Sequence, residues 1–257
     1  MKSSIVRVEC PIVQIVKAFS AILLSEYALE RQIRQRVLST RLKTSEQAKL
    51  SPLPKSFYEP SAKVVAPLLL GHFLVRNTPM GLAGGPIVET EAYLTDDPAC
   101  HGAPGLTPRN RVMFGPCGHG YVYLIYGYHF CVNAVCRPAG VAEAVLVRAI
   151  EPAFGEEFMR HQRPVEKIRD LTNGPAKLCE ALHIDRGLDG VNLCDPKAIL
   201  WLAENPNAEN FRKRHGPIIT TTRIGITRAA ALPLRFYLQG SVYVSKKGAK
   251  DFKTPKR

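Results

Sequence analysis

The chain has 257 residues, of which 46% are hydrophobic and 22% charged, a composition that can bury one substantial core and excludes disorder along the whole length. The formal net charge of +13 is uneven: residues 1–50 hold nine Lys/Arg against four Glu, and residues 246–257 hold six Lys/Arg against one Asp. Any polyanion met by the middle of the chain must therefore be held by a few well-placed groups, and not by an even coat of charge. Seven scattered cysteines (Cys10, Cys100, Cys117, Cys131, Cys136, Cys179 and Cys194) do not form a disulfide framework and suit a reducing compartment.

Residues 1–51 read as an N-terminal extension, helical or disordered. Its apolar stretch Ile12 to Leu24 is interrupted by Lys17 and falls short of the roughly 20 residues that span a bilayer, so no membrane anchor is expected; an organellar targeting segment stays open. Residues 52–245 form the expected domain and 246–257 a basic tail. Within the domain, Val64, Val65, Leu68 and Leu69 have helical spacing, with Ser61 as a candidate cap and Gly71 as the stop. A strand follows at 72–76.

From Gly85 the chain is strand-like, and a period of two puts Glu89, Glu91 and Tyr93 on one face and Val88, Thr90 and Ala92 on the other. Residues 94–120 then lack periodicity, and a loop that long inside a compact domain usually serves function. Strands at 121–125 and 129–136 flank a tight turn at Tyr126-Gly127-Tyr128, and a further buried strand occupies 144–149. A helix opens at Asn173 to Lys177, which serves either as a phosphate site or as a plain capping turn. Segments 233–238 and 242–245 read as a late hairpin.

Two carboxylates on one strand face suit hydrolysis of a glycosidic bond, with one activating water; ordinary surface ion pairs would account for the same pattern. The aromatic company favours chemistry on a base. Tyr93, Tyr121, Tyr123, Tyr126 and Tyr128 fall within 36 residues, and aromatic faces stack on planar bases at about 1–3 kcal/mol each. A hairpin-tip tyrosine could fill the gap left by a flipped nucleotide. No lysine occurs from Val64 to Glu166, so water, and not a Schiff-base lysine, is the expected nucleophile unless Lys177 or the N-terminal amine reaches in. Cys100, His101, Cys117 and His119 lack a recognised zinc spacing, and GPCGHG at 115–120 lacks the ending of a phosphate-binding loop; neither a metal nor a cofactor is expected.

Several motifs in order, IVETEAYL at 87–94, His101, GLTPRNRVMFGP at 105–116, YVYLIYG at 121–127, VLVRAIEP at 145–152, NGPAKLCEAL at 173–182 and PLRFYL at 233–238, resemble the alkyladenine (3-methyladenine) DNA glycosylase family. The resemblance implies an α+β fold, a single domain built on a curved antiparallel β-sheet flanked by helices, with a protruding hairpin that enters DNA. It implies a monofunctional glycosylase of base excision repair that flips damaged purines from double-stranded DNA, working inside the cell as a monomer. By position, Glu91 resembles the water-activating base and Arg148 the arginine that holds that water. Tyr93, His101 and Tyr123 resemble the walls around the flipped base, and Asn133 the group that disfavours guanine. Tyr126 resembles the intercalating residue, and Arg109 and Lys177 resemble backbone contacts. Thr95, Tyr128 and Ala176 depart from residues usual at those places. A noncatalytic nucleic-acid-binding module and a carbohydrate glycosidase using Glu89 and Glu91 are the rival readings.

Overall fold

The structure is a computed structural model that describes residues 50–245; the apolar stretch at 12–24 and the basic tail at 246–257 lie outside the described residues. Among the described residues there are eight strands and four α-helices. In chain order these are α1 (Ala62–Leu69), β1 (Phe73–Thr78), β2 (Gly81–Tyr93), β3 (Gly120–Ile125), β4 (His129–Cys136), β5 (Glu143–Ile150), α2 (Glu156–Gln162), α3 (Pro175–Ala181), β6 (Leu200–Ala203), α4 (Ala208–His215), β7 (Ile218–Thr221) and β8 (Arg235–Leu238). This is an α+β domain on a curled antiparallel sheet, as the motifs imply.

The sheet runs β3-β4-β5-β2-β1-β6, with β8 added to β2 and β7 added to β8. β2 is the spine. Its first half, from Gly81 to Pro86, pairs with β1, and its second half pairs with β5 and β8. Such dense flanking leaves no room for side chains where the partners change. A Cβ on Gly84 would meet the carbonyl oxygen of Leu74, and one on Gly85 the carbonyl oxygen of Glu151, so glycine is required at both places.

Strand periodicity divides two apolar clusters between the faces. Val122, Val132, Ala134, Val145 and Val147 enter the main core with Val65, Leu69 and Leu178 of α1 and α3. Tyr121, Tyr123, Cys131, Val135, Ala144 and Leu146, their neighbours in sequence, enter a second cluster around Met113. The site described below is built on that second face.

Three sequence expectations are corrected. On α1 only Val65 and Leu69 of the apolar stripe are buried, together with Ala62 and Ala66, while Val64 and Leu68 face solvent. Ser61 makes no side-chain cap; the Glu143 carboxylate takes the place, accepting from the Ser61 hydroxyl at 2.7 Å and from Ala62 N–H at 2.8 Å. The late hairpin does not form, because β8 pairs with β7 and β2 and the segment 242–245 forms no strand. Nothing local to 233–245 announces β7, whose partner is brought in from residues 218–221.

Candidate active site

The second half of β2 carries the centre. Val88 and Ala92 lie in the core and the Thr90 hydroxyl donates to Ala66 O at 2.9 Å on α1, so Glu89, Glu91 and Tyr93 turn to the opposite side. Both carboxylates are fully buried, a costly placement that survives only with charged partners. Arg148 of β5 supplies one partner to each: its Nε donates to Glu89 Oε1 at 2.8 Å, and its Nη1 lies 3.1 Å from Glu91 Oε1.

The β2–β5 register explains how one arginine reaches both. Ile87 pairs with Ile150 and Glu89 with Ala149, which leaves Val88 as an extra residue on β2; Thr90 then pairs with Val147, which leaves Arg148 as an extra residue on β5. Bulges of this kind turn a side chain out of the regular alternation. Arg148 is thus turned between the two glutamates.

Glu91 is held from three directions. Besides Arg148, the Tyr93 hydroxyl donates to Oε2 at 3.0 Å and the Ile224 backbone N–H donates to Oε1 at 2.9 Å. Burial, and then the neighbouring Glu91 charge, push the Tyr93 phenol far up, so it remains a donor. Glu89 accepts from Arg235 Nε at 2.7 Å, Ser245 N–H at 2.8 Å and Ser245 Oγ at 3.0 Å in addition to Arg148. Burial opposes its charge, but Arg148 and Arg235 outweigh burial and hold its carboxyl below the usual range. Burial likewise opposes the charge of Arg148, and Glu91 and Glu89 overcome it, raising its pKa.

Above this lattice opens a cavity of about 370 Å³ lined by Tyr93, His101, Met113, Tyr123, Tyr126, Asn133 and Arg148, with Pro175, Ala176 and Ile224 to Ile226 completing it. Its walls are largely aromatic, and Arg148 brings a charge to them. Tyr121 and Tyr123 stack with centroids 5.3 Å apart, and His101 meets Tyr123 edge to face at 4.4 Å. His101 Nδ1 shares a hydrogen bond with the Tyr121 hydroxyl at 2.9 Å. Burial and then Arg109 lower the His101 pKa, which keeps the ring neutral at neutral pH. Asn133 is buried and donates to Tyr121 O at 3.0 Å; burial raises the adjacent Cys131 thiol to about 11. On the other flank, Arg223 lies 4.6 Å over the Tyr93 ring and pairs with Asp97, both side chains being buried.

Of the remaining site candidates, Tyr126 lines the pocket, whereas Arg109 and Lys177 are not among its lining residues. Tyr126 is at the tip of the β3–β4 hairpin, 72% exposed and with φ of 52° beside Gly127 at 81°. Tyr128 beside it is equally exposed. Arg109 donates from Nη2 to Leu124 O at 3.1 Å, bracing that hairpin. Lys177 follows Pro175 and Ala176 in α3, and its ammonium donates to Asn173 Oδ1 at 2.8 Å. Among the described residues, no lysine lines the pocket.

Sequence inspection missed Asp97, Arg223, Arg235, Ile224 and Ser245. Arg235 lies in the quoted PLRFYL segment, where alternation with buried Leu234 and Phe236 marks a residue aimed at the other face. The others come from irregular segments with no local signal.

A profile of the methylpurine-DNA glycosylase family matches residues 56–242. A protein of Methanoculleus marisnigri, provisionally named 3-methyladenine DNA glycosylase, is 50% identical over 198 residues, covering 76% of this chain and 99% of its own. Proteins with the same provisional name from Mesorhizobium japonicum and Carboxydothermus hydrogenoformans are 46% identical over 194 residues and 47% over 195, covering 76% of this chain and 90% and 99% of theirs. The matched span contains every element from α1 to β8 together with the carboxylates, the arginines and the aromatic pocket, and the chain belongs to the methylpurine-DNA glycosylase family.

Proposed function

We propose that this protein is a monofunctional DNA glycosylase that flips alkylated or otherwise damaged purines from double-stranded DNA and hydrolyses the N-glycosidic bond with water activated by Glu91. The observation that carries this is the contact of Glu91 with Arg148, Tyr93 and Ile224, all three of which line an aromatic pocket. A carboxylate offers about four lone-pair sites, and among the described residues three protein groups engage Glu91. One site, on Oε2, is left for a water.

In this reading a flipped base enters between Tyr93, His101 and Tyr123. Flipping costs a few kcal/mol, and two stacked faces at about 1–3 kcal/mol each offset it. Tyr126, held out at the hairpin tip, fills the space the base leaves, and Arg109 and Lys177 meet the backbone. An Asn133 N–H facing the exocyclic amine of guanine would set donor against donor, which leaves both unpaired and disfavours the normal base.

For bond cleavage, Glu91 takes a proton from the bound water, the water oxygen bonds to C1′, and the C1′–N bond breaks with its electrons going to the base. A cationic alkylated purine then leaves as a neutral molecule. Since no lysine among the described residues lines the pocket, water is the nucleophile in this reading and the product is an abasic site in an unbroken strand. No helix among the described residues is long and apolar enough to cross a membrane; the substrate places the protein with DNA inside the cell.

Single-turnover excision from duplexes carrying hypoxanthine or methylated purines tests the reading. Base release that leaves an alkali-labile abasic site is expected; tight binding with no release would indicate a noncatalytic binding module.

A further inference from the structure

We infer that Glu89 is a positioning residue that keeps Arg148 from closing over Glu91. The inference rests on the proposed function of Glu91, and its grounds are the register and the hydrogen bonds around Arg148.

A guanidinium beside a single carboxylate prefers two parallel hydrogen bonds. On Glu91 that arrangement would take the lone pair on Oε2 that a water needs. Here Arg148 cannot adopt it, because Nε is bound to Glu89 Oε1 at 2.8 Å and Nη2 reaches Ser245 Oγ at 3.3 Å, which leaves Nη1 alone toward Glu91. Glu89 is itself fixed from the far side by Arg235 Nε at 2.7 Å and by Ser245 N–H and Oγ. Its hydrogen bonds go to Arg148, Arg235 and Ser245, and of these only Arg148 also meets Glu91 and lines the pocket, so it acts on the reaction through Arg148.

The double irregularity in the β2–β5 ladder serves this arrangement. A regular ladder would pair Arg148 with a β2 residue and alternate it strictly between faces; as the extra residue on β5 it is turned into the space between the two glutamates. Glu89 and Glu91 with Arg148 and Arg235 form a buried set of balanced charge. Ser245 connects the end of the described chain to that set through both its amide and its hydroxyl.

The test is a double-mutant cycle on single-turnover excision from a hypoxanthine duplex, with binding of the same duplex measured in parallel. Glu89→Gln is expected to slow excision about a hundredfold, the scale of a displaced catalytic group, while the dissociation constant stays within about twofold, since no DNA contact is removed. In an Arg148→Lys background, where the cation can no longer bridge two carboxylates, Glu89→Gln is expected to add little, because residues acting through one another are non-additive. A role in folding alone would slow excision by the same factor in both backgrounds and would overturn the proposal. Should Glu89→Gln fail to fold, Ser245→Ala removes one hydroxyl from the same set and is expected to slow excision about 3- to 10-fold; an unchanged rate would overturn the proposal. Wild-type excision with an unaffected Glu89→Gln variant removes Glu89 alone, whereas a wild type that releases no base removes the reading of Glu91 and this inference with it.

Discussion

The backbone N–H of Ile224 donates to Glu91 Oε1 at 2.9 Å across 133 positions of sequence. A loop after β7 thereby closes on a carboxylate of β2, and Arg223, one residue earlier, covers the Tyr93 ring at 4.6 Å. The centre is thus enclosed by elements that are local neighbours nowhere in the chain.

Glu91→Gln keeps an oxygen for the Ile224 amide and removes the base. Single-turnover excision should fall by about 10² to 10⁴ with duplex binding retained. Excision at the wild-type rate would take Glu91 out of the chemistry.

Tyr126→Ala removes an exposed side chain that supports no core, so the melting temperature should hold within a degree or two while capture of the flipped base weakens. Fluorescence of a base analogue at the lesion reports the flipping equilibrium. An unaltered equilibrium would count against the wedge.

Asp97→Asn leaves Arg223 buried without its anion. Breaking a buried ion pair from one side costs about 3–5 kcal/mol; burial opposes the charge of Arg223, and Asp97, with Tyr93 and Glu91 after it, overcomes that and raises its pKa. Denaturant unfolding should register the loss. A change under about 1 kcal/mol would mean that the pair behaves as a solvated one.

His101 and His72 both have lowered pKa values, from burial foremost and then from Arg109 and Arg212 respectively. Between those lowered values and the ordinary imidazole value of about 6.5, the unfolded chain binds more protons than the folded one. Their contribution to stability is therefore complete above about pH 6.5 and is lost as pH falls through the folded values. The melting temperature should drop on acidification through that range, and His101→Gln should flatten the slope. A melting temperature that rises on acidification would reverse the assignment.

Much of the site was legible in the sequence because strand alternation is local. A period of two places Glu89, Glu91 and Tyr93 on one face, and the turn at Tyr126 to Tyr128 follows from two strand-forming runs with glycine between them. The motif order was enough to indicate the family and the curved antiparallel sheet. Only the tertiary structure decided what those side chains meet. The shared grip of Arg148 depends on two compensating irregularities in one ladder, and irregularity has no periodic signature. The replacement of the expected late hairpin by β7–β8–β2 pairing, the capping of α1 by Glu143, and the convergence of Ile224, Arg235 and Ser245 on the β2 carboxylates all join residues far apart in the chain. A buried charge selects its partners by proximity in the folded state, because only there is water absent to compete.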